Sequence, residues 1–261
     1  MDQIVDFDRY PLHRPHTQEW DALVSHAKAG LARDGLFNLS GFMRPQALAQ
    51  VLDHVQPRMA TQSFHHRRAH NIYFQDTVDG LSPDDPALAK VETANHTLCH
   101  DQMRDTALDQ LYQWPEFATF LAAVMDKPKL FTMSDALAGL NVLEYRPGEA
   151  LNWHFDRSIF TTTLLLQEAS VGGLFEYAKD LRSDEDPNHS GIAALLAGRI
   201  APTTLTQAAG TLNVFLGVNT AHRVSRVGPG TSRIVAVLSH YDTPGRAFTA
   251  QEQMGFFGRV A

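Results

Sequence analysis

The stretch Asn152-Trp153-His154-Phe155-Asp156, answered far downstream by His222, constrains this chain more than any other feature, because it reads as one metal site assembled from separate strands. Residues two apart in a strand project from the same face, so His154 and Asp156 can reach one ion. His222 completes a triad. Two imidazoles and one carboxylate on one face of an octahedral ion leave its other positions open, the arrangement of a catalytic rather than an enclosed structural metal. A second His-x-Asp, His240-Tyr241-Asp242, has no histidine after it and is expected to be a core strand residue.

The flanking pattern is that of short strands. Leu140-Asn141-Val142-Leu143-Glu144-Tyr145 alternates and ends in the turn Arg146-Pro147-Gly148-Glu149, after which the metal pair is expected to open the next strand. Phe160 to Leu166 is β-branched and apolar, and Gly172-Gly173 precedes another strand through Tyr177. Gly210 to Leu216 leads to His222, and Arg233 to Ser239 closes the series. Short strands between glycine and proline turns predict a mainly β architecture, an antiparallel jelly-roll barrel with a helical annex.

On the ordered set His154, Asp156, Gly172-Gly173, His222 and Arg233, the chain resembles the Fe(II)/2-oxoglutarate-dependent oxygenases, whose core is a double-stranded β-helix. The segments Glu144-Tyr145-Arg146-Pro147-Gly148, Trp153 to Ser158, Thr162 to Gln167, Gly173 to Tyr177 and Asp180 to Asp184 are similar to the HalD/BesD-like group of halogenases and hydroxylases acting on free amino acids. That resemblance implies Fe(II), 2-oxoglutarate and O2. It assigns His154, Asp156 and His222 to the metal, and Arg233 to the far carboxylate of 2-oxoglutarate, which a guanidinium fork fits bidentately. Tyr145 is a candidate second contact to that cosubstrate; Arg223 and Arg226 compete with Arg233 but are expected to be solvated. Halogenases of the group carry Gly or Ala where this chain has Asp156, so hydroxylation with release of succinate and CO2 is expected, with desaturation left open.

At 261 residues, 44% hydrophobic and 20% charged, the chain suits one globular domain: residues 1–128 mostly helical, residues 129–261 the barrel with an insertion near 183–209. A net charge of −7 argues against a nucleic-acid partner, and the lack of a long apolar run against a membrane span. The expectation is a cytoplasmic enzyme with a small-molecule substrate, homodimer formation left open. Cys99, the single cysteine, is expected to be a spectator.

In the N-terminal part, Trp20, Leu23, Val24, Ala27 and Leu31 mark an amphipathic helix, Gly35 to Phe42 a short strand, and Arg44 to Val55 a helix with proline near its start. Pro86 to Arg104 and Pro115 to Met125 are further helix candidates; these helices are expected on the outer face of the larger sheet. Phe64 to Phe74, with three histidines and two arginines, reads as an irregular segment that could be an active-site wall, a second metal site or a solvated loop. The acidic insertion from Ser183 is either a substrate cover or a surface excursion. Substrate contacts are expected from Arg157, Asn141, Trp153, Ser239 and His66, with Arg157 placed to bind a substrate carboxylate. Two alternatives stand beside a free amino acid or small derivative as substrate: a larger natural-product or carrier-tethered substrate, and a cupin-like metal binder without turnover, which has no need for Arg233. A zinc hydrolase would need a general base, and no His-Glu-x-x-His segment is present.

Overall fold

The computed structural model describes all of residues 1–261. The chain forms thirteen strands: β1 (Leu36–Leu39), β2 (Phe64–His70), β3 (Val91–Leu98), β4 (Phe131–Thr132), β5 (Leu140–Tyr145), β6 (Leu151–His154), β7 (Thr161–Gln167), β8 (Phe175–Ala178), β9 (Thr203–Leu205), β10 (Leu212–Phe215), β11 (Ala221–Val224), β12 (Arg233–Leu238) and β13 (His240–Tyr241). Six helices accompany them: α1 (Gln18–Asp34), α2 (Pro45–Gln62), α3 (Ala107–Gln113), α4 (Pro115–Val124), α5 (His189–Leu196) and α6 (Ala250–Phe257). The strands form an antiparallel major sheet, β1-β10-β7-β12-β5-β3-β2, facing a minor sheet, β6-β11-β8-β9. This is the jelly-roll double-stranded β-helix.

Local chemistry explains the helix ends. Thr17 caps α1 by accepting a hydrogen bond from the Trp20 N–H, and Gly35 ends it at φ 74°, a left-handed conformation that costs glycine little. Pro45 opens α2 where its missing N–H is not needed, and the helix runs through Pro57 to Gln62. Helices α1 to α4 lie on the outer face of the major sheet: Trp20, Val24, Val51, Val55, Phe117 and Phe120 share one buried cluster with Leu140, Val142, Leu164, Val214 and Ile234. No helix is long and apolar enough to cross a membrane.

Three expectations are corrected. Pro86–Arg104 is not a helix: it holds β3, flanked by short 3-10 turns. Thr93, Asn95 and Thr97 are buried in that strand, so its inner side is polar and lacks the apolar alternation that announces a strand. Phe64 to His70 is not irregular but forms β2, paired with β3 residue by residue. The metal pair does not open a strand either: β6 ends at His154, and Asp156 lies in the following loop. The insertion carries α5, whose Ile192 and Leu195 pack on Ile72 and Phe155 behind the metal strand, so it is no cover over the cavity.

Candidate metal centre and anion pocket

His154 on β6 and His222 on β11 are direct partners in the antiparallel register of the minor sheet, which sets their rings side by side with centroids 4.1 Å apart. Each fixes its tautomer in the same way. His154 Nδ1–H donates to the Asn152 carbonyl at 2.8 Å and His222 Nδ1–H to the Thr220 carbonyl at 2.9 Å. A carbonyl only accepts, so both Nε2 atoms are left with lone pairs.

Both lone pairs face Asp156 Oδ1, at 3.5 Å from His154 and 3.4 Å from His222. Asp156 is positioned by its N–H bonded to the Gly217 carbonyl at 3.0 Å and by Thr161 Oγ1–H, which donates to Oδ2 at 2.6 Å. With both imidazoles neutral, three acceptor atoms converge, an arrangement that a bound cation stabilises and that in the metal-free protein favours a proton on His222. Burial disfavours charge on all three groups. For Asp156 the two imidazoles outweigh it and hold the carboxyl well below the usual range. Burial and then His222 lower His154, whereas Asp156 overrides burial and raises His222. Two nitrogens and one carboxylate oxygen with neutral, oriented imidazoles are what a divalent iron-type ion accepts.

Across the cavity, Arg233 begins β12 opposite Tyr145 of β5. The residue is 7% exposed, yet it forms no ion pair and its Nε has no acceptor, with Tyr145 and Glu168 acting on it only at a distance. Burial lowers its pKa to about 10. Thr162 Oγ1 and Asn213 Oδ1 on neighbouring strands are also buried without partners. Burial raises the Tyr145 hydroxyl. Triad, Arg233, Tyr145, Thr162 and Asn213 all line one cavity of about 360 Å3. The competing arginines are engaged elsewhere: Arg223 pairs with Glu176 at 2.6 Å and stacks on Trp153, and Arg226 bonds the Gly148 carbonyl.

The expected substrate residues divide. Asn141, Ser239 and His66 line the cavity. Trp153 does not: it alternates with His154 and faces away, packing beside Phe155 and Ala178. Arg157 reaches the cavity mouth but its side chain is 77% exposed and paired with Glu252 at 3.0 Å, so its charge is already answered. The half-buried cation without a carboxylate is Arg68, from the inner face of β2, whose guanidinium stacks 4.4 Å from the Phe74 ring. From the segment Phe64 to Phe74, offered as a possible active-site wall, the sequence reading singled out only His66, but Arg68, His70 and Phe74 line the cavity too, as the alternation His66, Arg68, His70 indicates; Asn95 was missed. His240 is a buried residue against Tyr112 and Phe117, and Cys99 is buried with its thiol raised to about 11.

Burial pushes His66 and His240 down to about 4. The unfolded residues titrate near 6.5. The unfolded chain therefore binds protons first, so stability is full above about pH 6.5 and is lost as the pH falls toward 4. At pH 5 the loss should be on the order of 2 kcal/mol for each histidine. A urea midpoint that falls between pH 7 and pH 5, and falls less in His240→Leu, is expected; a flat midpoint contradicts it.

No family model matches the chain, and no curated protein sequence matches it. Solved structures do match in fold. The non-heme α-ketoglutarate-dependent epimerase SnoN from nogalamycin biosynthesis aligns with a TM-score of 0.57 at 15% identity, over 85% of this chain and 83% of that one. The same epimerase in complex with Fe3+, α-ketoglutarate and nogalamycin RO gives 0.58, at 15% identity over 85% and 84%. A Pseudomonas putida prolyl-4-hydroxylase gives 0.52 at 15% identity, over 82% and 97%. AviO1 from Streptomyces viridochromogenes gives 0.54 at 18% identity, over 85% and 96%. At these identities the likeness is one of fold.

Proposed function

We propose that this chain is an Fe(II)/2-oxoglutarate-dependent oxygenase that hydroxylates an unactivated C–H bond of a small substrate, a free amino acid or derivative, releasing succinate and CO2. The observation that carries the proposal is Arg233, a buried cation without an ion-pair partner across one cavity from a converging His-Asp-His triad. An isolated buried charge is costly, and a carboxylate ligand relieves it. A metal binder without turnover does not need such a clamp.

His154, Asp156 and His222 would hold the iron, and Arg233 the distal carboxylate of 2-oxoglutarate, with Thr162, Asn213 and Tyr145 as the polar atoms beside it. When bound, the metal and cosubstrate supply oxidative decarboxylation and the oxidising power for the C–H bond. The chain's part is placement. Phe175 and Phe215 pack against His222, and Phe74 against His154, keeping that side of the centre dry. Asp156 occupies the position a halide would need, which supports hydroxylation and sets the chain apart within the HalD/BesD-like kinship. A soluble enzyme of the cytoplasm fits this chemistry.

Substrate choice rests on Arg68, whose unanswered charge suits a carboxylate, and on Asn141, whose Nδ2 is spent on the Leu137 carbonyl and leaves its oxygen for an amine. A cavity of about 360 Å3 is at the small end for ligand sites and favours a small molecule. The likeness to an epimerase solved with nogalamycin RO keeps a larger natural product as the second reading. Arg68→Ala should raise the KM of the prime substrate roughly 10- to 100-fold, as loss of a charged hydrogen bond does, without altering slow substrate-independent 2-oxoglutarate turnover. Arg157→Ala should change neither. The reverse pattern in succinate assays across an amino-acid panel restores Arg157 and removes Arg68.

A further inference from the structure

Strand alternation on β2 sends His66, Arg68 and His70 into the cavity and His65 to the opposite, outer face. There His65 lies directly across from His96 of β3, and the two rings stack at 4.4 Å with their planes 4° apart. The turn between β5 and β6 brings Glu149 onto this pair, with Oε1 3.1 Å from His65 Nε2 and 3.4 Å from His96 Nε2. The other carboxylate oxygen, Oε2, accepts the Arg146 N–H at 2.8 Å, so the side chain is held in this pose.

Hydrogen positions around His96 are constrained. Ser63 Oγ–H donates to the Met59 carbonyl at 2.6 Å, which leaves the hydroxyl only as an acceptor toward His96 Nδ1 at 3.3 Å. Nδ1 then carries the hydrogen, and neutral His96 turns an Nε2 lone pair onto a carboxylate oxygen. A cation resolves the repulsion once the half-exposed His65 ring turns out of the parallel stack, so that both Nε2 lone pairs can meet one ion beside Glu149 Oε1. Ligands about 2.0–2.1 Å from a zinc ion stand roughly 3.3 Å apart in a tetrahedron, close to the two distances seen. His96 and Glu149 are 14% and 13% exposed and His65 46%, so the fourth corner opens to water.

We propose that His65, His96 and Glu149 form a second metal site, on the outer surface and separate from the catalytic centre, that takes a divalent transition ion of the zinc type with water as fourth ligand. Its ion ties the edge hairpin β2–β3 to the turn that leads into β6, the strand ending at His154. The anchored carboxylate and the Ser63 contact supply the oriented second layer such sites use.

Zinc titration of the metal-free full chain against a competing chromophoric chelator tests this. Two equivalents are expected for the wild type and one for His154→Ala/Asp156→Ala, which keeps only the outer site. His65→Ala, at the most exposed ligand and safe for folding, should also keep one and weaken outer-site affinity at least 100-fold, and His96→Ala should do the same. One equivalent in the wild type together with none in the triad variant overturns the proposal, as does an outer equivalent that survives His65→Ala and His96→Ala unchanged.

Discussion

Arg233→Met is expected to raise the melting temperature of the metal-free protein while removing its affinity for 2-oxoglutarate. The two effects have one cause. Arg233 is 7% exposed, has no carboxylate partner and leaves its Nε without an acceptor, so the ligand-free fold bears an uncompensated charge. Methionine fills similar volume without that desolvation, and each kcal/mol recovered should raise the melting temperature about 2–4 °C in a chain of this size. In the ligand complex the balance reverses. Truncating one member of a buried charge pair costs ~2–5 kcal/mol, a loss of roughly 30-fold to several-thousand-fold in binding. Calorimetry on the anaerobic metal-loaded protein reads the affinity; undiminished binding removes Arg233 from the site, and a lowered melting temperature makes it a structural residue instead.

The second large effect is expected at Asp156. Asp156→Ala removes the oxygen on which both Nε2 atoms converge, and metal affinity should fall at least ~100-fold, since even outer partners of metal ligands are worth 10- to 100-fold. Gly217→Ala offers a subtler route to the same end. A Cβ there would lie 2.2 Å from Asp156 Oδ2, so the carboxylate must leave its bond to Thr161. A 10- to 100-fold weaker site with an unchanged circular dichroism spectrum is expected. Metal affinity untouched in both variants contradicts the triad. A halogenated product from Asp156→Ala supplied with halide would support the resemblance to halogenases read from the sequence.

What the sequence revealed depended on the kind of signal each residue carries. β5 announces itself by apolar alternation, β7, β10 and β12 by short β-branched and apolar runs between turns, and the triad by its spacing within that frame. Thr93, Asn95 and Thr97 line the cavity side of β3, so hydrophobic periodicity is silent there and helix spacing filled the gap. With β3 unread, β2 had no partner, and nothing in the sequence decided whether the segment carrying Arg68 is an active-site wall, a second metal site or a solvated loop. Arg157 misled because its counter-charge, Glu252, comes from α6, and no local pattern links the two. Trp153, by contrast, was legible: if His154 faces the metal, alternation turns its neighbour away. Glu149 read only as part of a turn, since its two histidine partners come from another hairpin.

The central claim is that triad and Arg233 together turn over 2-oxoglutarate. Fe(II)-loaded protein, supplied with 2-oxoglutarate, oxygen and a panel of free amino acids, should release one succinate for each O2 consumed, with the rate rising for an amino acid that gains the mass of one oxygen. Protein that binds both Fe(II) and 2-oxoglutarate yet forms no succinate under any substrate would contradict the claim and leave a metal-binding barrel without turnover.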